Sequence, residues 1–218
     1  MDVEKCVFEM VEYCHLIHKR GLVSSSGGNV SIRIGDEVFI TPSGKSLQMV
    51  AAKDVVRMRE DGSYRACVDA KPSKEWQMHL ACYRYQGVGA VIHVHSPHAV
   101  ALSCLKELNF LCAMPVYTAG YATRVGELPV VPYIPSGTPE LAEAVSRIIS
   151  WRNSVLLENH GVLCVGNDLE EALNIVEEIE ENAEINFILG NRGKALTNEQ
   201  ISRYGRGQRR EIKGMDFQ

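Results

Sequence analysis

Val3, Cys6, Val7, Met10, Val11, Cys14 and Ile17 recur at helical spacing and form one apolar face, which predicts an opening amphipathic helix. Gly21 stands where its C-terminal cap is expected. Beyond Ser24-Ser25-Ser26-Gly27-Gly28-Asn29 the period shortens. Val30-Ser31-Ile32-Arg33-Ile34 and Val38-Phe39-Ile40-Thr41 alternate around Gly35-Asp36 and predict a hairpin. Pro72-Ser73 opens a helix through Glu75 to Tyr83, with Ser73 as its expected N-cap. The β-branched run Val91-Ile92-His93-Val94-His95 reads as a strand, and Ser96-Pro97 turns it into another short helix.

A Pro- and Gly-punctuated stretch covers Met114 to Gly137, after which Thr138-Pro139 caps a helix running to about Ser150. Val155-Leu156-Leu157 and Val162-Leu163-Cys164-Val165 are strands flanking Glu158-Asn159-His160-Gly161. Asn167 with Glu170 resembles the capping-box start of a long helix that Gly190 ends. Helices and hairpins in this order predict α/β or α+β layers around a largely antiparallel sheet, with neither an internal repeat nor a linker.

At 218 residues and 45% hydrophobic content, the chain is expected to form one domain over residues 1–218. The tail from about residue 203, with Arg203, Arg206, Arg209, Arg210 and Lys213, is expected to be mobile, or else a flap over an anionic substrate. A formal charge of −4 with interspersed signs leaves no footprint for nucleic acid. The charged N-terminal segment lacks the unbroken apolar centre of a signal peptide, so no processing is expected, and no apolar run is long enough to cross a membrane. Cysteines 6, 14, 67, 82, 104, 112 and 164 are odd in number and include no C-x-x-C pair. A reducing cytoplasm is therefore expected.

His93 and His95 are two apart in the expected strand, so both imidazoles share a face while Val94 takes the other. His160, at the end of a strand and before Gly161, is the candidate third ligand, with the glycine allowing a sharp turn. Three imidazoles leave a divalent ion its full charge and an open position, the pattern of a catalytic zinc. Spacing also accommodates three unrelated histidines. Glu75 lies near a helix start, where the dipole favours a carboxylate; facing a metal, it could shuttle a proton with its pKa raised by desolvation. Gly28-Asn29, Ser43-Gly44 and the helix start at Ser73 can each present backbone N–H groups to an anion, and each also reads as an ordinary turn or cap. Gly44-Lys45-Ser46 mimics the end of a P-loop, but Phe39 replaces the required first glycine, which excludes that nucleotide site.

Ser26-Gly27-Gly28-Asn29-Val30-Ser31, Thr41-Pro42-Ser43-Gly44, Lys71-Pro72-Ser73-Lys74-Glu75-Trp76, His93-Val94-His95-Ser96 and Glu158-Asn159-His160-Gly161 together resemble the class II aldolase/adducin family. The likeness runs from the first helix to about residue 190. It implies a three-layer α-β-α fold, zinc on His93, His95 and His160, and Glu75 as acid/base. It also implies a phosphate cradle from Gly28, Asn29, Ser43, Gly44 and Ser73. Imidazole ligands equally suit manganese or cobalt. The family's aldolases place a tyrosine from the neighbouring subunit of a four-fold ring in each site; Tyr117 is the nearest match, and Tyr204-Gly205 mirrors a second tyrosine. The implied reaction is cleavage of a ketose 1-phosphate, such as L-fuculose 1-phosphate, through a metal-stabilised enediolate to dihydroxyacetone phosphate and an aldehyde.

Two departures keep a second activity open. Lys74 replaces a serine of the fuculose-phosphate enzymes, adding an ammonium to the cradle, and Arg124-Val125-Gly126-Glu127-Leu128-Pro129 is similar to relatives that decarboxylate 3-oxo-tetronate 4-phosphates. Sugar-phosphate 4-epimerases resemble this pattern with Asp in place of Glu75. A non-catalytic adducin-like scaffold is the reading from another class.

Overall fold

The computed structural model describes residues 2–204 and Glu211. Its helices are α1 (Val3–Lys19), α2 (Trp76–Cys82), α3 (Pro97–Ser103), α4 (Ala119–Arg124), α5 (Pro139–Ile149), α6 (Leu169–Leu189) and α7 (Asn198–Ser202). Its strands are β1 (Asn29–Ile34), β2 (Glu37–Ile40), β3 (Val56–Met58), β4 (Tyr64–Arg65), β5 (Ala90–Val94), β6 (Val130–Val131), β7 (Ser154–Leu157) and β8 (Gly161–Gly166). They form one sheet in the order β4-β3-β2-β1-β5-β8-β7-β6. Every neighbouring pair is antiparallel except β6 with β7. The expected three-layer α/β architecture with a mostly antiparallel sheet is what the chain adopts.

Alternation along the strands divides two cores. Val30 and Ile32 of β1, with Ala90, Ile92 and Val94 of β5, face α1, α3, α4 and α6. Val91 of β5 and Leu163 and Val165 of β8 face α2 and α5. Asn29, Ser31 and His93 therefore point to the α2 side, where the apolar layer is interrupted by a buried polar stripe. Central β5 is buried along its whole length, which is why its sequence reads as a near-continuous apolar run.

Three local expectations are corrected. α2 begins at Trp76 with Glu75 at its N-cap; the Ser73 hydroxyl instead accepts the Glu75 N–H in the preceding turn. α6 is capped by Asp168, which accepts from Glu171 N–H, while Asn167 donates to the Glu171 carboxylate. The loop from Met114 to Gly137 contains α4 and the edge strand β6, the former capped by Thr118. Among the described residues, no helix is long and apolar enough to cross a membrane. Of the basic tail, residues 205–210 and 212–218 lie outside the described residues; Arg203 ends α7, and the Glu211 carbonyl accepts from Gln86 N–H.

Candidate metal centre

β5 positions the first imidazole. His93 pairs with Asn29 of β1 and Leu163 of β8, so it sits mid-sheet and is fully buried. His95 lies one residue beyond the strand's end and remains on the same side. His160 comes from the turn between β7 and β8. There the left-handed residue is Asn159, at φ 55°, rather than the expected Gly161. Glycine is required at Gly161 for a different reason: a Cβ would lie 2.4 Å from the Val94 carbonyl oxygen and 2.9 Å from His95 Cδ2. Gly28 meets the same kind of constraint, combining φ 73° with a would-be Cβ 2.9 Å from the His93 carbonyl.

The three imidazoles and the Glu75 carboxylate converge, with their ligand atoms all within 4.8 Å of one another. His93 Nε2 lies 3.0 Å from His95 Nε2, 3.3 Å from His160 Nε2 and 3.3 Å from Glu75 Oε2, and His160 Nε2 lies 3.4 Å from Glu75 Oε1. Tetrahedral zinc with bonds of about 2.0–2.1 Å separates its ligand atoms by about 3.3 Å. The set therefore fits a divalent ion in both chemistry and spacing. His93 Nδ1–H donates to the Val162 carbonyl at 3.0 Å, which turns Nε2 toward the cluster as the atom that can ligate once deprotonated. Glu75 Oε1, though buried, receives no hydrogen bond.

Charge is distributed unevenly across the cluster. Burial pushes the Glu75 carboxyl up, but the His93 charge outweighs it, helped by hydrogen bonds from His93 and Asn29, and holds it well below the usual carboxylate range. Desolvation thus does not set its pKa as the sequence led us to expect. Burial also opposes charge on His93, yet the Glu75 carboxylate raises it above the usual imidazole value. His95 and His160 are lowered to about 4, mainly by burial and then by the neighbouring His93. The cluster therefore stabilises positive charge next to Glu75 while keeping two imidazoles neutral and available as ligands.

Asn29 and His79 extend the site into the fold. Asn29 Nδ2 donates to Glu75 Oε2 at 2.9 Å, and its Oδ1 meets His79 Nε2 at 2.5 Å. His79 Nδ1 is 2.7 Å from Ser31 Oγ, which is 2.8 Å from the Tyr83 hydroxyl. Burial, reinforced by the His93 charge and opposed by Glu75, lowers His79 to about 3, so its ring is neutral. Sequence reasoning did not single out His79 or Ser31. Their signal was the helical stripe Glu75, His79, Tyr83 opposite the strand stripe Asn29, Ser31, Arg33.

The remaining candidates lie around this centre or away from it. Ser43 N–H donates to the Lys71 carbonyl and Ser73 N–H to the Thr41 carbonyl, which straps the two turns together. Gly44 is exposed at φ 74°, with open space where a Cβ would stand. Lys74 is exposed beside buried Ser73 and Glu75, and Lys45, the P-loop mimic, pairs with Asp54. Tyr117 is tied to α6, donating its N–H to Asn182 Oδ1 and its hydroxyl to Asn186 Oδ1. Tyr204 is exposed, and Gly205 lies outside the described residues.

Residues 8–187 match the Class II Aldolase and Adducin N-terminal domain. An L-fuculose phosphate aldolase of Methanococcus maripaludis is 36% identical over 85% of this chain and 98% of its own length. A 3-oxo-tetronate 4-phosphate decarboxylase of Haemophilus influenzae is 35% identical over 88% of this chain and 92% of its own length. Among solved structures, YgbL of Klebsiella pneumoniae superposes with a TM-score of 0.89 at 33% identity, covering 94% of this chain and 99% of that one. An L-fuculose 1-phosphate aldolase gives 0.83 at 31% identity, covering 94% and 96%. A match over most of its length, to sequence and to fold alike, places the chain in the class II aldolase and adducin family.

Proposed function

We propose that the protein is a metal-dependent lyase that reversibly cleaves a ketose 1-phosphate, such as L-fuculose 1-phosphate, to dihydroxyacetone phosphate and an aldehyde. The observation that carries this reading is the convergence of His93, His95 and His160 beside a buried carboxylate with one oxygen free of hydrogen bonds. A divalent ion held by the three imidazoles, zinc in the first instance, supplies positive charge opposite the electrons released as a carbon–carbon bond breaks. Glu75 handles the proton at the carbon that keeps those electrons, delivering it in cleavage and removing it in condensation. Its depressed pKa and the Asn29 donor favour the ionised form that condensation needs. Gly28, Asn29, Ser43, Gly44, Ser73 and Lys74 are the proposed surroundings of the substrate phosphate, and Tyr117 of a neighbouring copy in a cytoplasmic homotetramer is the proposed hydrogen-bond donor to the aldehyde-side oxygen.

Decarboxylation of a 3-oxo-tetronate 4-phosphate is a second reading, favoured by exposed Lys74 next to Glu75. It breaks a different bond next to a carbonyl and draws on the same charge stabilisation. Zinc-loaded protein incubated with ketose 1-phosphates and with a 3-oxo-tetronate 4-phosphate, while triose phosphate and carbon dioxide are followed in parallel, separates the two. Triose phosphate is the expected product; carbon dioxide without it assigns decarboxylation. Purified protein that takes up no metal and turns over neither substrate would return the fold to a scaffold role.

A further inference from the structure

We propose that His79 is a positioning residue that fixes which face of the Asn29 carboxamide meets Glu75, and so sets how the carboxylate is presented to the metal cluster. The proposal rests on reading that cluster as the reactive centre.

The argument follows the direction of the hydrogen bonds. Asn29 turns its NH2 toward Glu75, donating from Nδ2 to Oε2 at 2.9 Å. Asn29 Oδ1 then faces His79 Nε2, which must carry the imidazole proton. A neutral ring protonated at Nε2 has a lone pair at Nδ1, and this accepts from the Ser31 hydroxyl. Ser31 in turn accepts from the Tyr83 hydroxyl, while the Tyr83 carbonyl accepts from Arg33 Nη1 at 2.7 Å. Donation therefore runs one way, from Tyr83 through Ser31 and His79 to Asn29 and Glu75. Reversing any link puts two acceptors face to face at Glu75, a costly arrangement where all these side chains are buried.

Local geometry explains why one residue controls the others. Glu75, His79 and Tyr83 are spaced four apart along the N-cap, body and C-cap of α2, while Asn29, Ser31 and Arg33 are spaced two apart along β1. The helix stripe and strand stripe interleave, and of the three helix residues His79 is the one that hydrogen-bonds both Asn29 and Ser31. Because imidazole carries one proton when neutral, its tautomer couples the two contacts: a proton on Nδ1 would turn Nε2 into an acceptor and flip the Asn29 amide. Asn29 in this account serves the carboxylate with its side chain.

The test uses the full-length protein and begins with histidine nitrogen NMR of the metal-free wild type, where His79 is expected as the Nε2–H tautomer. Zinc affinity by chelator competition, kcat and KM are then compared for wild type, His79→Leu, His79→Gln and Ser31→Ala. His79→Leu is expected to weaken zinc by about 10- to 100-fold, the range for residues that orient ligands, and to lower kcat by at least about tenfold. KM should stay within about threefold, since the substrate contacts themselves are untouched. His79→Gln should recover most of both losses, because its amide can donate to Asn29 and accept from Ser31. Should His79→Leu fail to fold, Ser31→Ala carries the test, with a mixed His79 tautomer and losses in the same direction. An Nδ1–H tautomer in the wild type overturns the proposal, as does a folded His79→Leu or Ser31→Ala with wild-type zinc affinity and kcat. A wild type that binds no zinc instead refutes the reading of the cluster on which the positioning role depends.

Discussion

Glu180 and Glu75 are both carboxylates beside histidines, yet one is saturated and the other is not. Glu180 reaches from α6 to the start of α3 and accepts from His98 N–H, Ala99 N–H and His98 Nδ1 at 2.9 to 3.0 Å. Both of its oxygens are engaged, and its role is complete as a helix cap. Glu75 faces His93 and His160 at 3.3 and 3.4 Å, accepts from Asn29 on one oxygen and receives no hydrogen bond on the other. Paired Nε2 atoms about 3 Å apart also confront one another there, an arrangement that a shared cation relieves. The residue types are the same in both places. What separates structural support from the proposed reactive centre is whether the polar atoms are satisfied by the fold itself.

The sharpest break of this comparison is His95→Ala. It should weaken metal binding by more than the roughly 100-fold upper range for residues that only orient ligands. Metal content by mass spectrometry and turnover should fall together; retained activity would remove His95 from the site. Next in size, Glu75→Gln should leave the protein folded and able to bind metal, though about 10- to 100-fold more weakly, and reduce kcat by about 10²–10⁴-fold, the span of general acid–base contributions. Glu180→Ala is its counterpart: thermal or urea unfolding should show a loss of about 1–2 kcal/mol from the missing cap, with kcat/KM unchanged. A reversal of these two outcomes would invert the assignment.

The smallest expected effect is a change in acid sensitivity. Burial pushes His79 down to about 3 in the folded protein, against about 6.5 for an ordinary imidazole, so the unfolded chain binds its proton more readily. Its contribution to stability is therefore fully present above pH 6.5 and is lost progressively as pH falls toward 3. Urea unfolding of the metal-free protein across that window should show a shallower decline for His79→Gln than for wild type. Parallel declines would mean that His79 is charged in the folded protein.

Much of the frame could be read from period and punctuation. The opening helix, the hairpin at Gly35-Asp36, the buried strand of His93 and the capped helix after Thr138 all form as expected, because each carries its apolar pattern and its stop signal within a few residues. β4 and β6 escaped notice because each has two residues, too few for any period to show. Ser73 and Asn167 looked like caps because the right residue type lay near each helix start; the neighbouring turns decided which residue took the position.

The histidine candidates and Glu75 were visible as residue types at meaningful spacings, and the motifs around them carried the family resemblance. Sequence also determined the alternation that sends His93 to the α2 side of the sheet. It could not decide that Asn29 would bind Glu75, that burial would leave His79 neutral, or that the Glu75 pKa would fall. Those outcomes depend on competing terms of opposite sign: desolvation of a carboxylate against the charge of His93, and an amide that can face either way until a neighbour fixes it. Such balances are set by distances of about 3 Å between residues more than forty positions apart, as with Asn29 and Glu75, and only the packed sheet and helix bring them to those distances.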